Sequence, residues 1–293
     1  MENMTPIRSQ ASGGPAPHAV RHRALRPTRG DLVQHVELLE CKLAILRDEA
    51  DEFRRTLYEA AQVQRRICGP RHLRRESFQI AAELFPVRDL SGDFLSVFES
   101  ADQIVFAVGD IAGKGLPAGM WFSHLVGTMR LEYALQRDPA RTVAAINRAL
   151  VHSDLEIPLT SLVLASLNPR SGEVVYCNGG HPPALLLRAD HGSELLEQGG
   201  PLLGVIERAE YDNGYTMLYP GDTLLAYSDG IPECRNASGM EFGMQGLLRA
   251  AQASSSSTPP AMLFSLLAEV ETFSEHHQRE DDIALLVVQR QHD

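Results

Sequence analysis

The aspartates of this chain fall where strands begin and end. Asp93 lies in Ser91-Gly92-Asp93-Phe94, ahead of an apolar run. Asp110 closes QIVFAVGD and leads into Ile111-Ala112-Gly113-Lys114-Gly115, while Asp229 closes TLLAYSDG and Asp281 and Asp282 open DDIALLVV. Each has a glycine or a second aspartate beside it, where the backbone can come close. Carboxylate oxygens are hard ligands suited to Mg2+ or Mn2+, and no His/Cys cluster in the sequence competes for a softer ion. Two such ions ~3.5–4 Å apart stabilise an in-line displacement at phosphorus. One strand-end aspartate is ordinary turn chemistry; four in this context point to a divalent-cation site.

Two other chemistries compete. GDIAGKG resembles a phosphate-binding loop, but its glycine spacing is one residue short, and Gly115 stands where Ser or Thr would meet Mg2+. A cysteine phosphatase needs a nucleophilic Cys with an Arg six positions on. Cys41 with Arg47 lies inside a helical pattern and cannot form a phosphate cradle. Cys68 with Arg74, spanning Gly69, Pro70 and several basic residues, stays as the alternative nucleophile. The four cysteines, Cys41, Cys68, Cys177 and Cys234, lack paired spacing and read as free thiols of a reducing cytosol.

The elements that must position these groups follow from periodicity. Leu32, Val36, Leu39, Leu43, Leu46, Ala50, Phe53, Leu57, Ala60, Gln64 and Ile67 recur with four-three spacing, and Gly69-Pro70 stops the pattern. A sustained 3.5-residue period with ten of eleven apolar positions predicts a coiled coil. Asp31 is the expected N-cap and Gln64 a polar seam residue that sets register or oligomer state; a parallel homodimer through residues 32–67 is the favoured pairing, with strand number and orientation left open by the pattern. Further on, SFQIAAELF, DFLSVFES and QIVFAVGD predict strands. Helices are expected over 116–136 and 141–152, then strands TSLVLASL, EVVYCN and PALLLR, with a hairpin turn at Asn168–Gly172. TLLAYSDG, two helices near 243–252 and 259–274, and the DIALLVVQR strand complete the chain. Strands in runs and helices in pairs predict an α+β fold rather than alternating winding.

The net charge is −11 over 293 residues, but the first thirty hold five arginines and one glutamate, leaving −15 on the rest. A body that acidic repels nucleic acid and anionic lipid. The first thirty residues, rich in Gly, Pro and Arg, read as a disordered basic arm. No apolar run reaches the ~18–20 residues that span a bilayer, and an apolar leader is missing before the early Pro and Arg residues. The expected location is cytoplasmic.

Four ordered motifs carry a resemblance: GDIAGKGLPAG, NGGHPPALLL, YSDGIPECRN followed by EFG, and DDIALLVV. In that order and spacing, over residues 76–290, the chain resembles the SpoIIE-like branch of the PPM (protein phosphatase 2C-type) serine/threonine phosphatases. The resemblance implies a four-layer αββα sandwich of two antiparallel sheets flanked by helices, here preceded by the coiled-coil helix. The corresponding division is an arm over 1–30, a dimerisation and regulatory helix over 31–68, and a phosphatase domain over 74–293.

The resemblance also implies two Mn2+ or Mg2+ ions. Asp110 would bridge them, the Ile111 backbone carbonyl, Asp229 and Asp281 would complete the site, and Asp93 would ligate directly or through water. A metal-activated water then attacks the phosphoserine or phosphothreonine without a covalent enzyme intermediate. Arg88 and Lys114 are candidate substrate-phosphate contacts. The implied substrate is a phosphorylated STAS-type anti-sigma-factor antagonist of bacterial partner switching, with an upstream regulator acting on the coiled coil. A catalytically silent scaffold on the same fold is the alternative, which the intact aspartate set argues against. The chain departs from the common pattern at Ser91, Lys114, Gly179 and Ala284, and His181 of NGGH reads as a hydrogen-bonded structural residue rather than a general acid.

Overall fold

The computed structural model describes residues 28–87, 90–113, 115–153, 159–275 and 279–292. The chain divides into two compact units, Met1–Glu52 and Phe53–Asp293. Helix α1 (Arg29–Ile67) opens on a capping box. Thr28 Oγ1 accepts from the Asp31 amide at 3.2 Å, and the Asp31 carboxylate accepts from the Thr28 amide at 2.8 Å. Thr28 is therefore the N-cap and Asp31 a first-turn residue, which corrects the expectation that Asp31 caps; its charge complements the helix dipole.

In the first unit the apolar stripe lies on the surface: Leu32, Val36, Leu39, Leu43 and Leu46 are each about half exposed. The last turns of α1, in the second unit, are different. Ala61 and Gln64 are buried, and Arg130 donates to the Ile67 carbonyl at 2.7 Å. Gln64 is thus no seam residue setting register: its side chain is used within the second unit, so the stripe free for another helix ends before Ala61. Gly69, with φ 97, then turns the chain sharply, and a methyl there would collide with the Val97 carbonyl.

After this turn come β1 (His72–Arg75), β2 (Phe78–Phe85), β3 (Phe94–Ser100), β4 (Gln103–Ile111), α2 (Leu116–Gln136) and α3 (Pro139–Val151). They are followed by β5 (Thr160–Leu167), β6 (Glu173–Gly179), β7 (Ala184–Leu187), β8 (Ser193–Leu196), β9 (Gly199–Gly200) and β10 (Gly214–Met217). The chain ends with β11 (Thr223–Tyr227), α4 (Gly243–Ala253), α5 (Pro259–Phe273) and β12 (Ile283–Arg290). One sheet has the order β1-β2-β12-β11-β7-β8 and the other β10-β6-β5-β4-β3, antiparallel throughout except for the two-residue β9 beside β6.

The sheets pack face to face, with α2 and α3 on the outer face of one and α5, backed by α4, on the other. Because both faces are covered, TLLAY and IALLVV are buried at every position, and their residues alternate between two cores. Leu224, Ala226, Leu286 and Val288 belong to the core between the sheets, while Leu225, Tyr227 and Val287 pack under α4 and α5 with Leu247, Met262 and Leu266. The expected α+β sandwich of two antiparallel sheets flanked by helices is the observed fold. This layering leaves the ends of the central strands open for chemistry.

Candidate active site

Adjacent strands of each sheet bring the aspartates together. β3 pairs with β4 with Phe94 opposite Gly109, and the Ile111 amide donates to the Gly92 carbonyl at 3.2 Å, so Asp93 and Asp110 share one end of one sheet. β11 pairs with β12 with Tyr227 opposite Leu285, which puts Asp229 just past the end of β11 and Asp281 and Asp282 just before β12 in the other sheet. Gly92 is needed here because of space. A methyl on it would lie 2.8 Å from the Ile111 and Gly113 carbonyl oxygens and 3.4 Å from Asp110 Oδ1.

The carboxylates are close enough to feel one another's charge. Asp93 is 3% exposed; burial, and then the charges of Asp110, Asp282 and Asp229, hold its pKa well above the usual carboxylate range, against a hydrogen bond from Ser228. Asp110 is pushed up to about 6, first by burial and then by Asp229 and Asp281, against the Ile111 amide. Among the described residues no three His, Cys, Asp or Glu side chains are drawn into a closed ligand set. The aspartates meet through their fields rather than in contact.

The chemistry of these donors suits a divalent cation. They are all oxygen, they repel one another, and Asp93 Oδ2 is a buried oxygen with no hydrogen-bond partner among the described residues. A buried polar atom left unsatisfied costs about 1–3 kcal/mol, more when charged, which a bound cation offsets. The Ile111 carbonyl lies at the Gly92 cradle beside Asp110.

Three residues that the sequence reading left out of the site support it. Asp282 is 7% exposed, and its carboxylate accepts from the Val87 amide at 2.7 Å, Ser91 Oγ at 2.8 Å and the Gly92 amide at 3.0 Å. It holds the strand-connecting loop rather than facing solvent, a role that the doubled Asp281-Asp282 could have signalled. Gln64 holds the same loop through the Ser91 backbone. Ser228 donates to Asp93 and accepts from the Ala284 amide at 2.9 Å, tying the strand-end residues of both sheets. A cleft of about 280 Å3 opens beside Gly230 and Asp281, bordered by Glu233, Arg235 and Arg279. Arg88 and Lys114 lie outside the described residues.

The cysteine alternative is corrected. Cys68 is buried, its Sγ meets the Gln64 carbonyl at 3.4 Å, and burial pushes the thiol up to about 11, so it is not a thiolate nucleophile. Arg74 sits on β1, paired antiparallel with β2, and no phosphate cradle forms between the two. His181 is buried with both ring nitrogens engaged, as expected of a structural histidine.

A helix-flanked sandwich of two antiparallel sheets, with aspartates at strand ends of both sheets brought to one end, defines a phosphatase of the PP2C type. More narrowly, residues 100–291 match the family described as Stage II sporulation protein E (SpoIIE), and the chain belongs to that family. It is similar to the phosphoserine phosphatase RsbU of Bacillus subtilis (strain 168), 25% identical over 248 residues that cover 84% of this chain and 73% of that protein. The SiaA-PP2C domain of Pseudomonas aeruginosa shares the fold with a TM-score of 0.71 at 19% identity, covering 84% of this chain and 99% of that domain. RsbX, solved in complex with magnesium, gives a TM-score of 0.56 at 14% identity, covering 74% of this chain and 98% of that one.

Proposed function

We propose that the chain hydrolyses phosphoserine or phosphothreonine on a signalling protein, with two divalent cations, Mn2+ or Mg2+, as cofactors. The observation that carries this reading is the gathering of Asp93, Asp110, Asp229 and Asp281 from four strand ends, with Asp93 Oδ2 buried and unpartnered. Asp110 would hold both ions, with Asp229, Asp281 and the Ile111 carbonyl completing the set and Asp93 joining directly or through water. Ions of this kind, when bound, make water nucleophilic at neutral pH and neutralise charge on phosphoryl oxygens. The magnesium of RsbX supports this choice of cofactor.

The protein's own share is positional. Ser228 orients Asp93, Asp282 and Gln64 fix the loop before it, and Gly92 admits the Ile111 carbonyl. The cleft beside Asp281, with Arg235 and Arg279 at its border, gives room for the phosphorylated segment of the substrate. Arg88 and Lys114 are proposed phosphate contacts.

The favoured substrate is the phosphorylated form of a STAS-type anti-sigma-factor antagonist, in a bacterial partner-switching circuit of the cytoplasm. The similarity to the phosphoserine phosphatase RsbU supports phosphoserine as the group acted on. The division proposed is an arm over 1–30, a dimerising helix over 31–68 and a phosphatase domain over 74–293. The exposed stripe from Leu32 to Phe53 would pair with a second copy, under an upstream regulator. Among the described residues no helix is long and apolar enough to cross a membrane.

The test is to incubate the full chain with a serine-phosphorylated STAS protein and Mn2+, and to follow the phosphoryl group by mass spectrometry. Loss of the group with Mn2+ and its retention with EDTA is expected. Tight binding without loss would favour the catalytically silent scaffold.

A further inference from the structure

His181 lies outside the aspartate cluster, yet its ring connects the two sheets that carry it. Asp110 on β4 is the register partner of Ser161 on β5, and directly opposite residues of an antiparallel pair project from the same face. Ser161 Oγ is 2.7 Å from His181 Nδ1, and His181 Nε2 is 3.1 Å from the carbonyl of Tyr227, the last residue of β11 and two before Asp229. A carbonyl only accepts, so Nε2 carries the ring proton and the Nδ1 lone pair accepts from the Ser161 hydroxyl.

The backbone of His181 is fixed as firmly as its ring. Asn178 Nδ2 donates to the His181 carbonyl at 2.8 Å, and Asn178 Oδ1 accepts from the His181 amide at 2.7 Å. The residue is 5% exposed. A rigid aromatic ring, held at its backbone by β6, thus joins the strand opposite Asp110 to the strand that delivers Asp229.

We propose that His181 is a positioning residue, with Ser161, that sets the separation between the Asp110 and Asp229 carboxylates and so the affinity of the site for its divalent cations. This inference rests on the cation-site reading above. The ring's described hydrogen bonds go to Ser161 and Tyr227 rather than to the aspartates, and it acts by fixing one sheet against the other.

The experiment measures Mn2+ binding by calorimetry, and phosphomonoester hydrolysis against Mn2+ concentration, in the full chain and in Ser161→Ala, His181→Gln and His181→Phe. Gln keeps a donor toward Tyr227 and loses the acceptor for Ser161; Phe loses both. Groups that orient metal ligands at one remove change affinity by about 10–100-fold, so Ser161→Ala and His181→Gln are expected at about tenfold weaker Mn2+ binding, with kcat at saturating Mn2+ within about threefold. His181→Phe is expected to be weaker still. Lower melting temperatures with unchanged Mn2+ affinity in Ser161→Ala and His181→Gln would overturn the positioning role, whether or not His181→Phe folds. No Mn2+ binding by the unaltered chain would overturn the cation-site reading, and this inference with it.

Discussion

The Gln64 carboxamide holds the Ser91 backbone at both of its polar atoms: Nε2 donates to the Ser91 carbonyl at 2.9 Å, and Oε1 accepts from the Ser91 amide at 3.3 Å. Twenty-seven residues separate the pair in sequence, yet Ser91 is two residues from Asp93. The last turn of α1 is therefore attached by one side chain to the loop that delivers an aspartate of the site. Cys68 extends the attachment, because its carbonyl accepts from the Val97 amide at 2.8 Å.

Replacing Gln64 by Leu keeps its bulk and removes both bonds, leaving two buried backbone groups of Ser91 without these partners. A loss of about 1–3 kcal/mol in unfolding free energy is expected. Half-saturation with Mn2+ should move several-fold upward in phosphomonoester assays, because the loop before Asp93 loosens. Identical melting curves and Mn2+ titrations for Gln64→Leu and the unaltered chain would show that the clamp does not set the loop.

Asp282 is the counterpart on the other side of that loop. Asp282→Asn replaces an acceptor of three hydrogen bonds with a group that must present an NH2 to a donor. The expected cost is about 2–4 kcal/mol, with a larger loss of Mn2+-dependent rate than Gln64→Leu causes. Chemical denaturation alongside a rate measurement checks both, and a fully active, fully stable Asp282→Asn would contradict the assignment.

The strands that carry the aspartates were legible because a buried strand in a double-covered sheet is apolar at nearly every position, as in QIVFAVGD and IALLVV. Helix α2 was legible to the residue, since Gly115 and Pro117 mark its start. The short edge strands β1, β8 and β10 were not: four residues such as HLRR or SELL carry no pattern of their own and become strands only by pairing with a longer neighbour. The same limit applies within the site. Strand-end aspartates announce themselves locally, whereas Gln64 on Ser91, Asp282 on Val87 and His181 on Tyr227 are contacts across long stretches of chain. Gln64 even fits a heptad position, and only the burial of the last α1 turn reveals its other use.

His181 gives the fold a pH signature. Burial, against the hydrogen bond to Tyr227, lowers its pKa to about 3 from the ordinary 6.5. Between these values the unfolded chain binds a proton that the folded chain does not, so this residue's contribution to stability is complete above pH 6.5 and is lost as pH falls toward 3. The slope approaches 1.4 kcal/mol per pH unit, and the loss at pH 5 is about 2 kcal/mol. Urea midpoints of the unaltered chain and His181→Gln at pH 7.5 and pH 5 read it, the variant being expected to lose less stability between the two. Parallel pH dependences would contradict an enclosed neutral histidine.

Cys68 is expected to be inert. With its thiol pushed up to about 11 by burial, it carries almost no thiolate at neutral pH, and its Sγ donates to the Gln64 carbonyl at 3.4 Å. Iodoacetamide should leave turnover unchanged, and Cys68→Ala should retain at least about half the rate while losing about 1 kcal/mol of stability. Inactivation by alkylation that Cys68→Ala abolishes would revive the cysteine reading.

The central claim is that the strand-end aspartates hold the cations that drive hydrolysis. The direct measurement is the initial rate on p-nitrophenyl phosphate with Mn2+ and with EDTA, in the unaltered chain, Asp110→Ala and Asp229→Ala. Turnover is expected to need Mn2+, to disappear with EDTA, and to fall by about a hundredfold or more in both variants. Equal rates in all three proteins, or full activity in EDTA, would contradict it.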